Sequence, residues 1–115
     1  MKENWHKLIS QPQYNVKVEK NIYVEMRDGV RLAANVYCPD AEGKFPALLS
    51  LSPYGKELQE LLLPPQPLEN SIIWDGVIEA GDTNDIVSRG YVHIIGDIRG
   101  TGYSEGEYVG IHSKQ

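Results

Sequence analysis

The chain has 115 residues, with 11 Lys and Arg against 16 Asp and Glu, a formal net charge of −5 and 41% hydrophobic residues. That length and apolar content suffice for one small domain with a core. The acidic balance and the scattering of the basic residues argue against nucleic acid or an anionic membrane as partner, since both recruit clustered Lys and Arg.

Residues 1–15 read as a polar lead-in, and MKENWHKLIS lacks the apolar stretch of a secretory signal. From Val16 to Met26 apolar residues alternate in two short pieces: Val16 and Val18, then Ile22, Val24 and Met26. A period of two predicts a half-buried strand. Asp28-Gly29 is a turn signal, because Gly accepts positive φ. Val30, Leu32, Ala34, Val36 and Cys38 alternate again until Pro39, so the two segments predict an antiparallel hairpin.

Phe45 to Leu51 is apolar without alternation, as expected of a strand covered on both faces. It ends in the turn cluster Ser52-Pro53-Tyr54-Gly55. Glu57 to Leu63 predicts a short helix ended by Pro64, Pro65 and Pro67. Asp82 is placed to cap a helix over Thr83 to Arg89, closed by Gly90. Tyr91 to Asp97 is the second buried strand, leading into a glycine-rich loop. Hairpin, strand, helix, strand and glycine loop predict an α/β sheet, in which ligands bind at the carboxyl ends of the strands.

That loop contains Gly102-Tyr103-Ser104-Glu105-Gly106, a literal G-x-S-x-G. A nucleophile elbow needs its serine directly between strand and helix, where the turn exposes the hydroxyl. Ser104 stands seven residues past Asp97, and Gly106 and Gly110 interrupt the stretch behind it. Only His112 lies beyond it as a base. Ser104 is therefore expected to hydrogen-bond the loop rather than attack a substrate. Gly100-Thr101-Gly102 also fails as a dinucleotide fingerprint, because Glu105 stands where the third glycine belongs.

Taken together, four stretches in order resemble a known family: EMRDGVRL from Glu25, PALL from Pro46, SPYG from Ser52, and DIRGTGYSEG from Asp97. Residues 16 to 110 are similar to the N-terminal part of the CocE/NonD (cocaine-esterase-like) hydrolases, relatives of the X-Pro dipeptidyl peptidases. The resemblance implies an α/β-hydrolase sheet over residues 16–115, incomplete and ending before the nucleophile elbow. It implies a serine hydrolase of esters or amides, X-Pro peptides among them, acting through an acyl-enzyme. The Ser, Asp and His of the triad would then lie outside this chain, leaving it inactive alone. It also implies that Tyr54, just after the third strand, donates to the oxyanion; the alternative is a tyrosine packed over the strand end.

Of the remaining candidates, Asp97 and Arg99 are expected to form an ion pair or hold the loop backbone. His93 is expected to be a satisfied core histidine, while His6 and His112 face solvent. Glu105 and Glu107 read as a solvated loop, and Cys38 as a small hydrophobe. No Cys/His cluster has metal-ligand spacing, so neither metal nor cofactor is expected. A lone cysteine favours a reducing, cytoplasmic location. The third strand is expected to offer an unpaired apolar edge, open to self-association. Leu58 to Trp74 is a candidate substrate mouth. The alternative function is a non-catalytic half-sheet that binds a partner by strand addition.

Overall fold

The Asp28-Gly29 turn closes a hairpin, with Gly29 at φ +87° and the Val30 N–H donating to Asp28 Oδ1 at 3.1 Å. The structure is a computed structural model and describes residues 7–61 and 79–110. The hairpin joins β1 (Val16–Glu25) to β2 (Arg31–Pro39), antiparallel as predicted. β3 (Ala47–Ser52) and β4 (Val92–Asp97) run parallel to each other, and β4 pairs antiparallel with β2. The sheet order is β1-β2-β4-β3.

The two apolar pieces of β1 are separated by a bulge. Between Glu19 and Ile22 the strand takes one residue more than β2 needs to go from Val36 to Ala34. Asn21 absorbs the excess at φ +56°, and its N–H donates to Oδ1 of the buried Asn35 at 3.1 Å. Asn tolerates this left-handed conformation better than most non-glycine residues.

Burial departs from the periodicities. β2 is central, and Leu32, Ala33, Ala34 and Asn35 are all buried in succession, so both its faces are covered. β1, read as half-buried, is exposed along its length apart from Val16. β3, read as covered on both faces, leaves Leu48, Leu49 and Leu51 exposed. Among the described residues one α-helix covers the sheet: α1 (Thr83–Ser88) packs on β1, β2 and β4, and the core cluster is Tyr37, Val87 and Ile95. Its six residues cannot shield a four-stranded sheet. β3 is an edge strand as expected, since its neighbour on one side is β4 and no described strand lies on the other.

Helix α1 begins as predicted: the Asp85 N–H donates to Asp82 Oδ1 at 3.1 Å, and Gly90 lies just past the helix at φ +98°. The lead-in is less loose than its composition suggests. The N–H groups of Gln13 and Tyr14 both donate to Ser88 O, at 2.8 and 3.0 Å. Arg89 Nη1 donates to Ser10 O at 2.6 Å, and Tyr14 meets Phe45 edge-on at 5.4 Å. The two amides on Ser88 O satisfy a carbonyl left open at the helix end. The helix expected over Glu57 to Leu63 is a single 3₁₀ turn, Leu58–Glu60, because Leu61 swings to ψ 131°. Leu62, Leu63 and the three prolines lie outside the described residues, as do Ile72, Ile73 and Trp74. No helix among the described residues is long and apolar enough to cross a membrane.

Replacing Asp82 by Ala removes the side-chain cap of α1. Chemical denaturation of the variant is expected to give a stability lower by about 1 kcal/mol with an unchanged denaturant slope.

Candidate active-site loops at the strand ends

Two loops leave the sheet side by side, because β3 and β4 are parallel neighbours that end in register at Ser52 and Asp97. The loop after β3 carries Pro53, Tyr54, Gly55 and Lys56. The loop after β4 carries the glycine string. Asp97 joins them. It is only 1% exposed, and its two carboxylate oxygens receive different loops. The Lys56 N–H donates to Oδ1 at 2.6 Å, and the Tyr103 N–H donates to Oδ2 at 3.0 Å. A Cβ at position 102 would collide with this carboxylate, which explains Gly102 on steric grounds as well as by its φ of +51°.

Asp97 thus holds the loop backbone, the second of its two expected roles; it does not pair with Arg99. Arg99 reaches instead to Asp28 in the hairpin turn, with Nη1 to Oδ2 at 2.8 Å, and holds that carboxyl below its ordinary range. The side chains two apart on the strand-to-loop junction face different partners, which adjacency in sequence does not reveal.

Ser104 is committed to the scaffold. Its Oγ donates to Asp97 O at 2.7 Å and accepts the Ala33 N–H at 2.8 Å. β2 pairs with β4 only as far as Ala34 and Gly96, so Ala33 and Arg31 extend beyond their partner strand. The glycine loop supplies the missing partners: Ser104 serves Ala33, and the Glu105 N–H donates to Arg31 O at 2.9 Å. Glu105, expected as solvated, also accepts from Arg31, from its backbone N–H at 3.0 Å and from Nη2 at 2.8 Å. The guanidinium holds the Glu105 carboxyl below its ordinary range. The loop therefore continues the sheet with a mixture of side-chain and backbone partners in place of a strand. Glu107 is exposed, as expected.

Tyr54 sits two residues past β3 and is 67% exposed. Its N–H donates to Ser52 Oγ at 3.1 Å, and the adjacent Gly55 stands at φ +97°. The next residue, Lys56, is fully buried, with Nζ 2.6 Å from Glu57 Oε1 and 4.6 Å from the centroid of the Tyr103 ring. An unpaired buried ammonium would be costly, and the carboxylate and aromatic face offset that. The turn is held further along as well. Glu57 and Glu60 reach Lys20 at 3.4 and 3.1 Å, Asn35 Nδ2 donates to Glu57 at 3.4 Å, and the Tyr37 hydroxyl donates to Glu60. Burial and Glu60 push the Tyr37 phenol well above its usual range, so it stays a donor. Lys56 and Asn35 were not singled out by sequence. A buried lysine has no local signature, and the one available signal for Asn35 was a polar residue amid Leu, Ala and Val.

His93 is the satisfied core histidine expected. Its Nε2 lies 3.3 Å from Ser50 Oγ and its Nδ1 3.0 Å from Thr83 Oγ1, so it bridges β3 to the start of α1. Cys38 is half-buried, its Sγ 3.7 Å from Lys17 O. His6 and His112 lie outside the described residues, as does most of the candidate mouth from Leu58 to Trp74. Among the described residues no group of three His, Cys, Asp or Glu converges as metal ligands.

Burial pushes the His93 imidazole below its ordinary 6.5. The unfolded chain then takes up the proton first, so this contribution to stability is complete above about pH 6.5 and declines as pH falls toward the folded value. Denaturation midpoints measured between about pH 7.5 and pH 5 are expected to fall on acidification, and His93→Gln is expected to flatten that slope. The depressed carboxyls Asp28 and Glu105 act in the same direction at lower pH, below their ordinary 3.8 and 4.5.

Comparison with known proteins places these loops in a family context. Residues 28–115 match the family described as X-Pro dipeptidyl-peptidase (S15 family). The chain is 38% identical over 95 residues to a cocaine esterase of Rhodococcus sp. (strain MB1 Bresler), covering 83% of this chain and 14% of that one. A CocE/NonD family hydrolase from Staphylococcus aureus superposes with a TM-score of 0.60 at 33% identity, over 76% of this chain and 16% of that one. An aminopeptidase from a marine sediment Thaumarchaeota archaeon gives 0.54 at 30% identity, over 84% and 14%. The chain thus spans about one seventh of the length of the curated relative it matches.

Proposed function

The chain belongs to the X-Pro dipeptidyl-peptidase (S15) family, one of esterases and peptidases, and we propose that it is the N-terminal part of a serine hydrolase that cleaves ester or amide bonds through an acyl-enzyme. On this reading the sheet is the opening of an α/β-hydrolase domain. The attacking serine, its base and its acid come from sequence beyond these residues, and the 115-residue chain alone is inactive. Substrate class within esters and amides, X-Pro peptides included, belongs to the whole protein.

The observation that carries the reading is the convergence of the Tyr54 turn and the glycine loop on one carboxylate at the ends of parallel strands. Ligands of open α/β sheets bind there. Tyr54 is the proposed oxyanion donor: its phenol is exposed at the strand end while its backbone is held from both sides. A phenol so placed can donate to the oxygen that gains charge as an acyl carbonyl becomes tetrahedral, which stabilises the transition state more than the ground state. Ser104 has no place in this chemistry, because both hydrogen-bonding roles of its hydroxyl are taken by backbone. A small-molecule substrate with no cofactor or metal completes the proposal, and the lone Cys38 supports a cytoplasmic location.

Reading the coding frame past codon 115 tests this directly. A strand–G-x-S-x-G–helix segment within a few tens of codons is expected, and the extended protein is expected to react with a fluorophosphonate probe. The 115-residue chain is expected not to react; labelling of it that disappears in Ser104→Ala would overturn the assignment. In the extended protein Tyr54→Phe is expected to lower kcat by about 100-fold with KM little changed, the usual size of one lost oxyanion donor.

The apolar edge of β3 supports a second reading, in which the half-sheet binds another chain, or its own copy, by strand addition. Light scattering of the isolated chain is expected to show dimers or larger species that grow with concentration. A monomer at every concentration would count against it.

A further inference from the structure

We propose that Asp97 is a positioning residue for Tyr54, holding the oxyanion-donor turn at its working height above the sheet by binding both strand-end loops at once. The proposal rests on the reading of Tyr54 as the oxyanion donor and adds a residue on which that role depends. Asp97 is almost wholly buried, yet among the described residues its side chain meets backbone N–H groups rather than a cation. Each oxygen takes one amide: Lys56 from the β3 loop and Tyr103 from the β4 loop. Only a carboxylate presents an acceptor in both directions, since an amide of the same shape would turn its NH₂ group toward a donor.

Tyr54 is suspended between two such anchors. Its own N–H is held by Ser52 Oγ, and two residues on the Lys56 N–H is held by Asp97. Its exposed phenol takes its direction from the backbone of that turn. An oxyanion donor must reach the position of the developing charge within a few tenths of an ångström, and a misplacement of about 1 Å costs about 100-fold. Ser52 alone fixes one end. Asp97 fixes the other, and it does so relative to β4, the strand beside it. Gly102 keeps the space clear, because any side chain there would displace the carboxylate.

The experiment is a double-mutant cycle in the extended protein, with p-nitrophenyl butyrate as substrate. Asp97→Asn is expected to lower kcat by about tenfold or more while KM changes by less than about threefold. In the Tyr54→Phe background the same substitution is expected to cost less than about twofold, because the group it positions is gone. Equal losses in both backgrounds would overturn the proposal and leave Tyr54 as a donor positioned by other means. An unchanged kcat in Asp97→Asn would overturn it as well. Unchanged kcat in Tyr54→Phe would instead refute the oxyanion reading itself, and the role of Asp97 with it. If Asp97→Asn does not accumulate as folded protein, Gly102→Ala, which displaces the carboxylate without removing it, takes its place in the cycle with the same expected pattern. Additive losses there would again overturn the proposal.

Discussion

Everything at the carboxyl end of this sheet depends on one buried carboxylate. A parallel strand pair leaves two loops that share no backbone ladder, so something other than strand pairing must join them. Asp97 does this with two amide hydrogen bonds of the charge-assisted kind, which are shorter and stronger than neutral ones. Its main-chain oxygen adds a third tie, through the Ser104 hydroxyl. Burying a carboxylate is unfavourable unless its lone pairs are filled, and here the filling groups are the backbone of the loops being ordered. The cost of burying the charge and the ordering of the loops are therefore one and the same arrangement.

The hairpin takes part in that arrangement from the other side. Arg31 and Ala33 run beyond the end of β4 and would leave unpaired backbone groups there. Ser104 and Glu105 pair them, and Arg99 ties the loop to Asp28 at the hairpin turn. Further down, the network of Lys20, Asn35, Tyr37, Glu57 and Glu60 fixes the segment after Lys56 across β2 and the bulge of β1. The exposed ion pairs among these contribute little each. Their value is geometric, since they hold a turn that has no regular structure of its own beyond one 3₁₀ turn.

Much of the fold was legible in the residues. Asp28-Gly29, Pro39, Asp82 and Gly90 each have local reasons to act as they do, and local reasons survive without knowledge of neighbours. The rejection of Ser104 was equally legible, because distance from the strand and the glycines around it are linear facts. What periodicity could not give was burial. Apolar alternation says which side chains would prefer cover, whereas cover depends on the helices available, and among the described residues α1 is the α-helix that packs on the sheet. The partners of Asp97, Arg99 and Glu105 were hidden for a different reason. Each bonds to a residue between 6 and 74 positions away, and such pairings arise from topology rather than from spacing. Tyr54 came into view only through family likeness, since nothing in its neighbours distinguishes a donor from a surface tyrosine.

The strand order also sets a timetable for synthesis. β1 and β2 are neighbours in both sequence and space, so their hairpin can close as soon as it emerges. β3 has no partner until β4 emerges roughly forty residues later, which at ordinary ribosomal rates of about 5–20 residues per second is a wait of about 2–8 seconds. During that interval neither edge of β3 has a strand partner among the described residues, and pairing with β4 later fills only one of them. Pairing with β4 does not end the exposure of Leu48, Leu49 and Leu51, which stay uncovered among the described residues of the completed sheet, so the apolar hazard outlasts the wait.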